Sequence, residues 1–374
     1  MSRSTNYLQR CHILLVILPF LMAAAGLTGC VTKPKKPREE PKNLVWPAPP
    51  DQARIRYIKS YRGQMDFKKK DDFRDALFGI EQSGLSLSKP YGVALNPDGS
   101  RMYVTDAKLR GVVVFDMEKG KVSMLKTDAM GGLASPVEVR VDSKGRIYVT
   151  DSFGGKLMVY KPNGETLRSL GGADGMKRPT GLVLDEAHNR IYVSDVASHQ
   201  IMAYDFDGNF IKRFAERGSD PGYLNFPNNL AVDKEGKIYV TDSGNFRVQV
   251  FSPEGEYVSS FGRLGDGFGS FARPKGIALD SDSNIYVLDA AFGNFQIFNN
   301  AGQLLLFVGT VGRGPGMFWL PAGMHIDDND RIYVVDSLNK RVQVFQYLGD
   351  DEAEKAAIPE ATSNKAIKAD VIQN

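Results

Sequence analysis

Cysteine, tryptophan and histidine are scarce in this chain of 374 residues, which holds two, two and four of them. Cys11 lies in an N-terminal apolar run, so beyond Cys30 there is no thiol for a disulfide or a nucleophile. No Cys-x-x-Cys-His stands in the chain, which excludes covalent haem. Past residue 30 only His188, His199 and His325 remain. No histidine pair, Ser-His-Asp spacing or phosphate-cradling glycine loop can be read, and no resident cofactor is expected. An excess of one charge is also missing. The formal net charge is +3, and without Arg3 and Arg10 the balance is 45 basic to 44 acidic residues. That balance gives no electrostatic case for nucleic acid.

The one long apolar run, Ile13–Leu27, follows Arg3 and Arg10 and ends in Leu27-Thr-Gly-Cys30. It is short for a spanning helix and has the layout of a secretory signal. Small residues before the cysteine resemble the bacterial lipobox. The resemblance implies a signal peptide over 1–29, cleavage before Cys30, lipidation of Cys30 and anchoring in the bacterial cell envelope. Val31, where an aspartate would imply inner-membrane retention, implies the outer membrane, with the periplasmic or surface side left open. Residues 30–52 are rich in Lys, Glu and Pro and read as an extended tether, with Trp46 stapling it to the folded part.

What is abundant is repetition. Pro90, Pro136, Pro179, Pro227, Pro274 and Pro321 each open a unit of 43 to 48 residues. An (Ile/Met)-Tyr-Val-x-Asp core answers each proline, ending at Asp106, Asp151, Asp195, Asp242, Asp289 and Asp336. Short apolar runs separated by Gly-, Asn- and Asp-rich turns give four strands per unit, the pattern of a propeller blade. The sixth unit lacks its last strand, while Ala53–Tyr61 is a surplus strand upstream of the first. The predicted fold is therefore all-β: a six-bladed β-propeller of four-stranded antiparallel blades over 53–348, the sixth closed by the N-terminal strand. An insertion at 62–89 carries a short amphipathic helix around Asp71–Ile80, and 349–374 is a polar tail.

Pro-x-Gly-(apolar)-Ala-(apolar)-Asp, Gly-x-Ile-Tyr-Val-x-Asp and Asn-x-Arg-Val-Gln-Val-Phe resemble the NHL repeat, over roughly residues 53–347. With the lipobox, the Trp-Pro-x-Pro-Pro tether, Arg-Ile-Arg-Tyr and Phe318-Trp-Leu-Pro-Ala-Gly, the layout is similar to a group of bacterial six-bladed propeller lipoproteins.

Strand direction places the loops before the opening prolines and after the six aspartates on one face, where they are long and varied. The opposite, plain face has short turns. The tether is expected to arrive at the plain face and hold it toward the membrane. The six aspartates recur in every unit and read as scaffold. Departures from the repeat are more informative. Glu138 and Asn229 replace the glycine of Pro-x-Gly, and Arg140 and His325 replace the small apolar residue two positions later. Either Glu138 and Arg140 simply neutralise one another, or Glu138, Arg140, Asn228, Asn229 and His325 line a polar pocket at the channel mouth. His199 is expected in solvent, and the loop aromatics Tyr223, Phe226, Phe268, Phe271, Phe318 and Trp319 are expected to wedge between blades.

Two functions follow. The favoured one is a non-catalytic binding scaffold, tethered to the membrane by its lipid and recognising an envelope protein, peptide or glycan through the loop-rich face. The alternative is a metal-dependent lactonase- or lyase-like propeller enzyme acting at the channel mouth, where carboxylate, amide and imidazole can ligate a divalent ion.

Overall fold

The computed structural model describes residues 44–67, 84–127, 132–172 and 174–349. Among them each repeat forms one antiparallel sheet whose innermost strand starts at the opening proline: Pro90–Leu95, Pro136–Val141, Pro179–Asp185, Pro227–Val232, Pro274–Leu279 and Pro321–Ile326. Five sheets have four consecutive strands. The inner strands pack in succession, and that of the sixth blade meets that of the first, which closes a six-bladed propeller.

In the sixth blade, Ile55–Tyr61 pairs antiparallel with Arg341–Tyr347, so the N-terminal strand supplies the missing one. A two-residue strand, Val45–Trp46, adds a fifth, with Trp46 opposite Ile55 and its ring 5.8 Å from Phe345. The direction of this strand adds a detail to the expected approach of the tether. Leu44 accepts a hydrogen bond from the Tyr57 N–H, so the chain passes the blade's outer edge running from the loop-rich face toward the plain face. It reaches the plain-face end of the blade before turning into Ile55–Tyr61, and the residues ahead of Leu44 lie outside the described residues. The helix expected at 71–80, the apolar segment at 13–27 and Cys30 lie outside the described residues. Among the described residues no helix is long and apolar enough to cross a membrane.

Alternation along each strand sends one set of side chains between blades. Val183, Tyr192 and Ile201 of the third blade, for example, pack with Leu230, Ile238, Val240 and Phe251 of the fourth. Each such residue contributes about 1.5–3 kcal/mol of burial. The six aspartates are scaffold: each is buried and accepts backbone N–H bonds from the residues ahead of the opening proline, as Asp106 does from Ser88 and Lys89 at 2.6 and 2.9 Å. The Asn-x-Arg-x-Gln signature has a matching task. Arg247 joins Asp242 and donates to the Asp220 and Tyr223 carbonyls, and Gln249 donates to Tyr223, which fixes the long loop ahead of Pro227.

Neighbouring inner strands approach so closely that the Pro-x-Gly glycine is a steric requirement. A Cβ on Gly181 would lie 2.6 Å from the Asn229 Cα and closer still to the Asn228 carbonyl. Gly181→Ala is expected to destabilise the domain by about 1–3 kcal/mol in a chemical melt, as overpacked cores do. A side-chain hydroxyl then stitches each of the first four blades to the next: Thr105 donates to the Val137 carbonyl, Thr150 to Thr180, Ser194 to Asn228 and Thr241 to Lys275, at 2.6 to 2.8 Å.

The aromatic expectation holds for two residues and fails for four. Phe271 and Phe318 are fully buried between blades, with Leu224 in the equivalent place. Tyr223, Phe226, Phe268 and Trp319 are exposed, because each loop turns one side chain inward and leaves its neighbours outside.

Candidate functional site

The glycine position of Pro-x-Gly stands where adjacent inner strands meet near the loop-rich face, and the side chains that replace glycine there extend across the channel. Glu138 of the second blade and Asn229 of the fourth reach toward each other past Gly181 of the third. Asn229 Nδ2 donates to Glu138 Oε2 at 2.7 Å. The other carboxylate oxygen, Oε1, is held by the Arg140 guanidinium and by the Val139 N–H at 3.3 Å. Arg140 also donates to the Val139 and Val93 carbonyls at 2.9 and 3.3 Å. Glu138 is 2% exposed and Asn229 is 4% exposed. Burial pushes the Glu138 carboxyl above the usual carboxylate range, against the opposing pull of Arg140 and Asn229.

Above this cluster lies a cavity of about 300 Å³ on the loop-rich face. Glu138, Asn228 and Asn229 form its floor, and Tyr91, Lys89, Arg178 and Lys275 are among its walls. Burial, with Arg273 and Lys89 as neighbouring cations, lowers the Lys275 ammonium to about 8. Lys89 and Lys275 stand 5.7 and 5.8 Å from the centre of the Tyr91 ring. Scaffold contacts place these residues: the Lys89 and Arg178 N–H groups bind Asp106 and Asp195, and the Lys275 carbonyl accepts from Thr241.

Of the five residues expected at one mouth, His325 belongs elsewhere. It lines a cavity of about 360 Å³ at the plain face, with Asp98, Asp142, Glu186, Asp327 and Asp328. Arg140 and His325 sit two residues further along their strands than Glu138 and Asn229, hence deeper in the channel. The long Arg140 side chain reaches back to Glu138, but the short imidazole cannot. Burial and the Arg140 charge lower His325 to about 3, so it stays neutral and is no proton donor at neutral pH. His199 is buried, not in solvent: its Nδ1 accepts from the Phe226 N–H at 3.0 Å, because the 215–226 loop folds back over it. His188 binds Asp185 in a plain-face turn.

The donor set does not fit a resident divalent cation. The guanidinium beside the Glu138 carboxylate repels a further cation, Asn229 turns its Nδ2 and not its Oδ1 toward it, and the imidazole is at the other mouth. Among the described residues no group of three His, Cys, Asp or Glu side chains converges for a metal. The Glu138–Arg140 pair does neutralise itself, and it also forms the floor of a cavity.

Sequence reasoning missed Lys89, Arg178 and Lys275. They flank the opening prolines, at positions that vary from blade to blade. The residue directly after the proline faces the mouth in every blade: Tyr91, Val137, Thr180, Asn228, Lys275 and Ala322. Reading down that column would have singled out Lys275.

Residues 63–172 and 172–264 each match the SMP-30/gluconolactonase/LRE-like region, and residues 281–355 match a family described as a 6-bladed beta-propeller. A gluconolactonase of Zymomonas mobilis is 28% identical over 169 residues, which cover 39% of this chain and 47% of that enzyme. The chain thus spans about half the length of that relative. Among solved structures, a gluconolactonase from Xanthomonas campestris superposes with a TM-score of 0.56 at 16% identity, over 83% of this chain and 99% of that one. Virginiamycin B lyase from Staphylococcus aureus gives 0.53 at 13%, over 70% and 96%. An auxiliary nutrient binding protein from Bacteroides thetaiotaomicron gives 0.56 at 14%, over 70% and 69%. At such identities these likenesses establish the fold alone. The sequence match overturns the favoured expectation of a scaffold without catalysis, and with it the view that the chain is not an enzyme, because the similarity runs to a lactonase family. With both matched segments spanning the first four blades and the cluster of Glu138 and Asn229, the chain belongs to the SMP-30/gluconolactonase/LRE-like family.

Proposed function

We propose that the chain is a lactonase-like hydrolase whose site is the cavity at the loop-rich mouth of the channel. The observation that carries this reading is Glu138: a buried carboxylate at the floor of a water-accessible cavity, oriented by Asn229 and Arg140, inside the segment that matches a lactonase family. Its raised pKa brings it nearer neutrality, where a general base works best. In lactone hydrolysis Glu138 takes a proton from water as the water oxygen bonds to the ring carbonyl carbon. Negative charge grows on the carbonyl oxygen, which the cationic wall of the cavity stabilises. The ring C–O bond then breaks, the departing oxygen takes the proton that Glu138 carries, and a hydroxy acid leaves. Arg140 is a positioning residue: it holds Glu138 and does not face the lactone. No step is routed through a metal, since the donor set does not suit one.

The reading is tested by following acid release from a panel of lactones with the full chain. Saturable release above the buffer rate is expected. No release with any ring size would overturn it.

The finer sequence expectations belong to the same proposal. The repeats are of NHL type, and Cys30 carries the lipid that anchors the enzyme in the cell envelope, at the outer membrane. Metabolic labelling with a fatty acid, lost in Cys30→Ala, tests the anchor.

A further inference from the structure

The cationic wall is larger than one developing oxyanion needs. Lys89, Arg178 and Lys275 converge on a single cavity of about 300 Å³, and among the described residues no carboxylate pairs with any of them. Among the described residues the one acid lining the cavity, Glu138, already has Arg140 as its counter-ion. Lys275 is half-buried in this state beside Lys89 and Arg273, an arrangement that costs stability unless an anion joins it. Nor are the cations placed by chance. The backbones of Lys89 and Arg178 are pinned by Asp106 and Asp195, and Tyr91 stands between Lys89 and Lys275 as a ring that both ammonium groups approach. The far mouth of the channel is net acidic, with Asp98, Asp142, Glu186, Asp327 and Asp328 against Arg331, and Asp142 paired with Arg146. The resulting field along the axis draws a small anion to the loop-rich mouth and away from the plain one.

We infer that the substrate is an acidic lactone, one bearing a carboxylate or phosphate in addition to the scissile ring ester, recognised by Lys89, Arg178 and Lys275. This rests on the reading of the same cavity as the hydrolytic site. The added charge lies among the three cations, and the ring carbonyl lies over Glu138. Protein side chains take the place that a divalent ion would need three or more donors to fill.

The test compares kcat/KM for neutral glucono-δ-lactone with that for glucarate monolactone, which has a free carboxylate, and for a phosphorylated gluconolactone. At least one acidic substrate is expected to be favoured by about tenfold or more, in a salt-sensitive way. Lys89→Gln and Arg178→Gln, both exposed positions and safe for folding, are expected to shrink that preference by about tenfold each, mainly through KM. A second measurement does not depend on turnover: calorimetry with inorganic phosphate on Glu138→Gln, which retains all three cations, should show binding that Lys275→Gln weakens. Hydrolysis of neutral and acidic lactones at equal efficiency, unmoved by these variants, would overturn the inference and leave the hydrolase standing. Phosphate binding lost with Lys275, in a protein that hydrolyses no lactone, would support an anion site and remove the hydrolase.

Discussion

Glu138→Gln is expected to lower lactone hydrolysis by about 10²–10⁴-fold while the propeller stays folded. An amide fits the same space and still accepts from Arg140, which also retains its bonds to the Val93 and Val139 carbonyls. What it cannot do is take a proton from water. The pH profile of the wild type carries the same signature. Activity should rise through a pKa above the usual carboxylate range, because burial resists the ionisation of Glu138. It should fall again near pH 8, as Lys275 loses its charge. Glu138→Gln should abolish the acid limb, and Lys275→Gln the alkaline one. A variant that keeps wild-type kcat with an unaltered acid limb would remove Glu138 from the chemistry.

Arg140→Met should cost about 3–5 kcal/mol of stability, the penalty for leaving a buried carboxylate without its counter-ion. Arg140 is a tenth exposed and Glu138 almost wholly buried, so little solvent reaches the pair. The loss should depend on pH in a definite sense. Without Arg140 the folded-state pKa of Glu138 rises further above its ordinary 4.5. Between those values the folded state binds more protons than the unfolded one, so stability falls as pH rises. The penalty is therefore greatest at neutral pH and shrinks toward pH 4.5. Replacing both residues by methionine should recover much of the loss, since an apolar pair of similar volume needs no solvation. Chemical melts of the two variants across that range measure both effects.

Fold and site were legible to different depths, for physical reasons. Six copies of one unit reveal the blade, because a proline start, a Tyr-Val core and a buried aspartate must recur wherever the same backbone geometry recurs. A surplus strand at one end and a missing strand at the other reveal the closure. Glu138 and Asn229 were legible because they break a steric rule: at that position a side chain must enter the channel. His325 was placed at the wrong mouth because the repeat fixes which face of a strand a residue lies on, not how far its side chain reaches. Arg140 has the length to return to Glu138, and His325 does not. Lys89, Arg178 and Lys275 are harder to read because the two columns flanking the proline hold mostly unlike residues, so a cation there breaks no rule of the repeat. The direction of the chain at Leu44 depended on a two-residue strand, Val45–Trp46, too short to read from any pattern.

The location of the chemistry is tested most directly by a structure of the full chain grown with the hydroxy-acid product of an acidic lactone. The account predicts the product in the cavity on the loop-rich face, with one oxygen at hydrogen-bond distance from Glu138 and its added anionic group among Lys89, Arg178 and Lys275. Product bound at the plain-face mouth beside His325, or on the outer blades with the Glu138 cavity left to water, would contradict it.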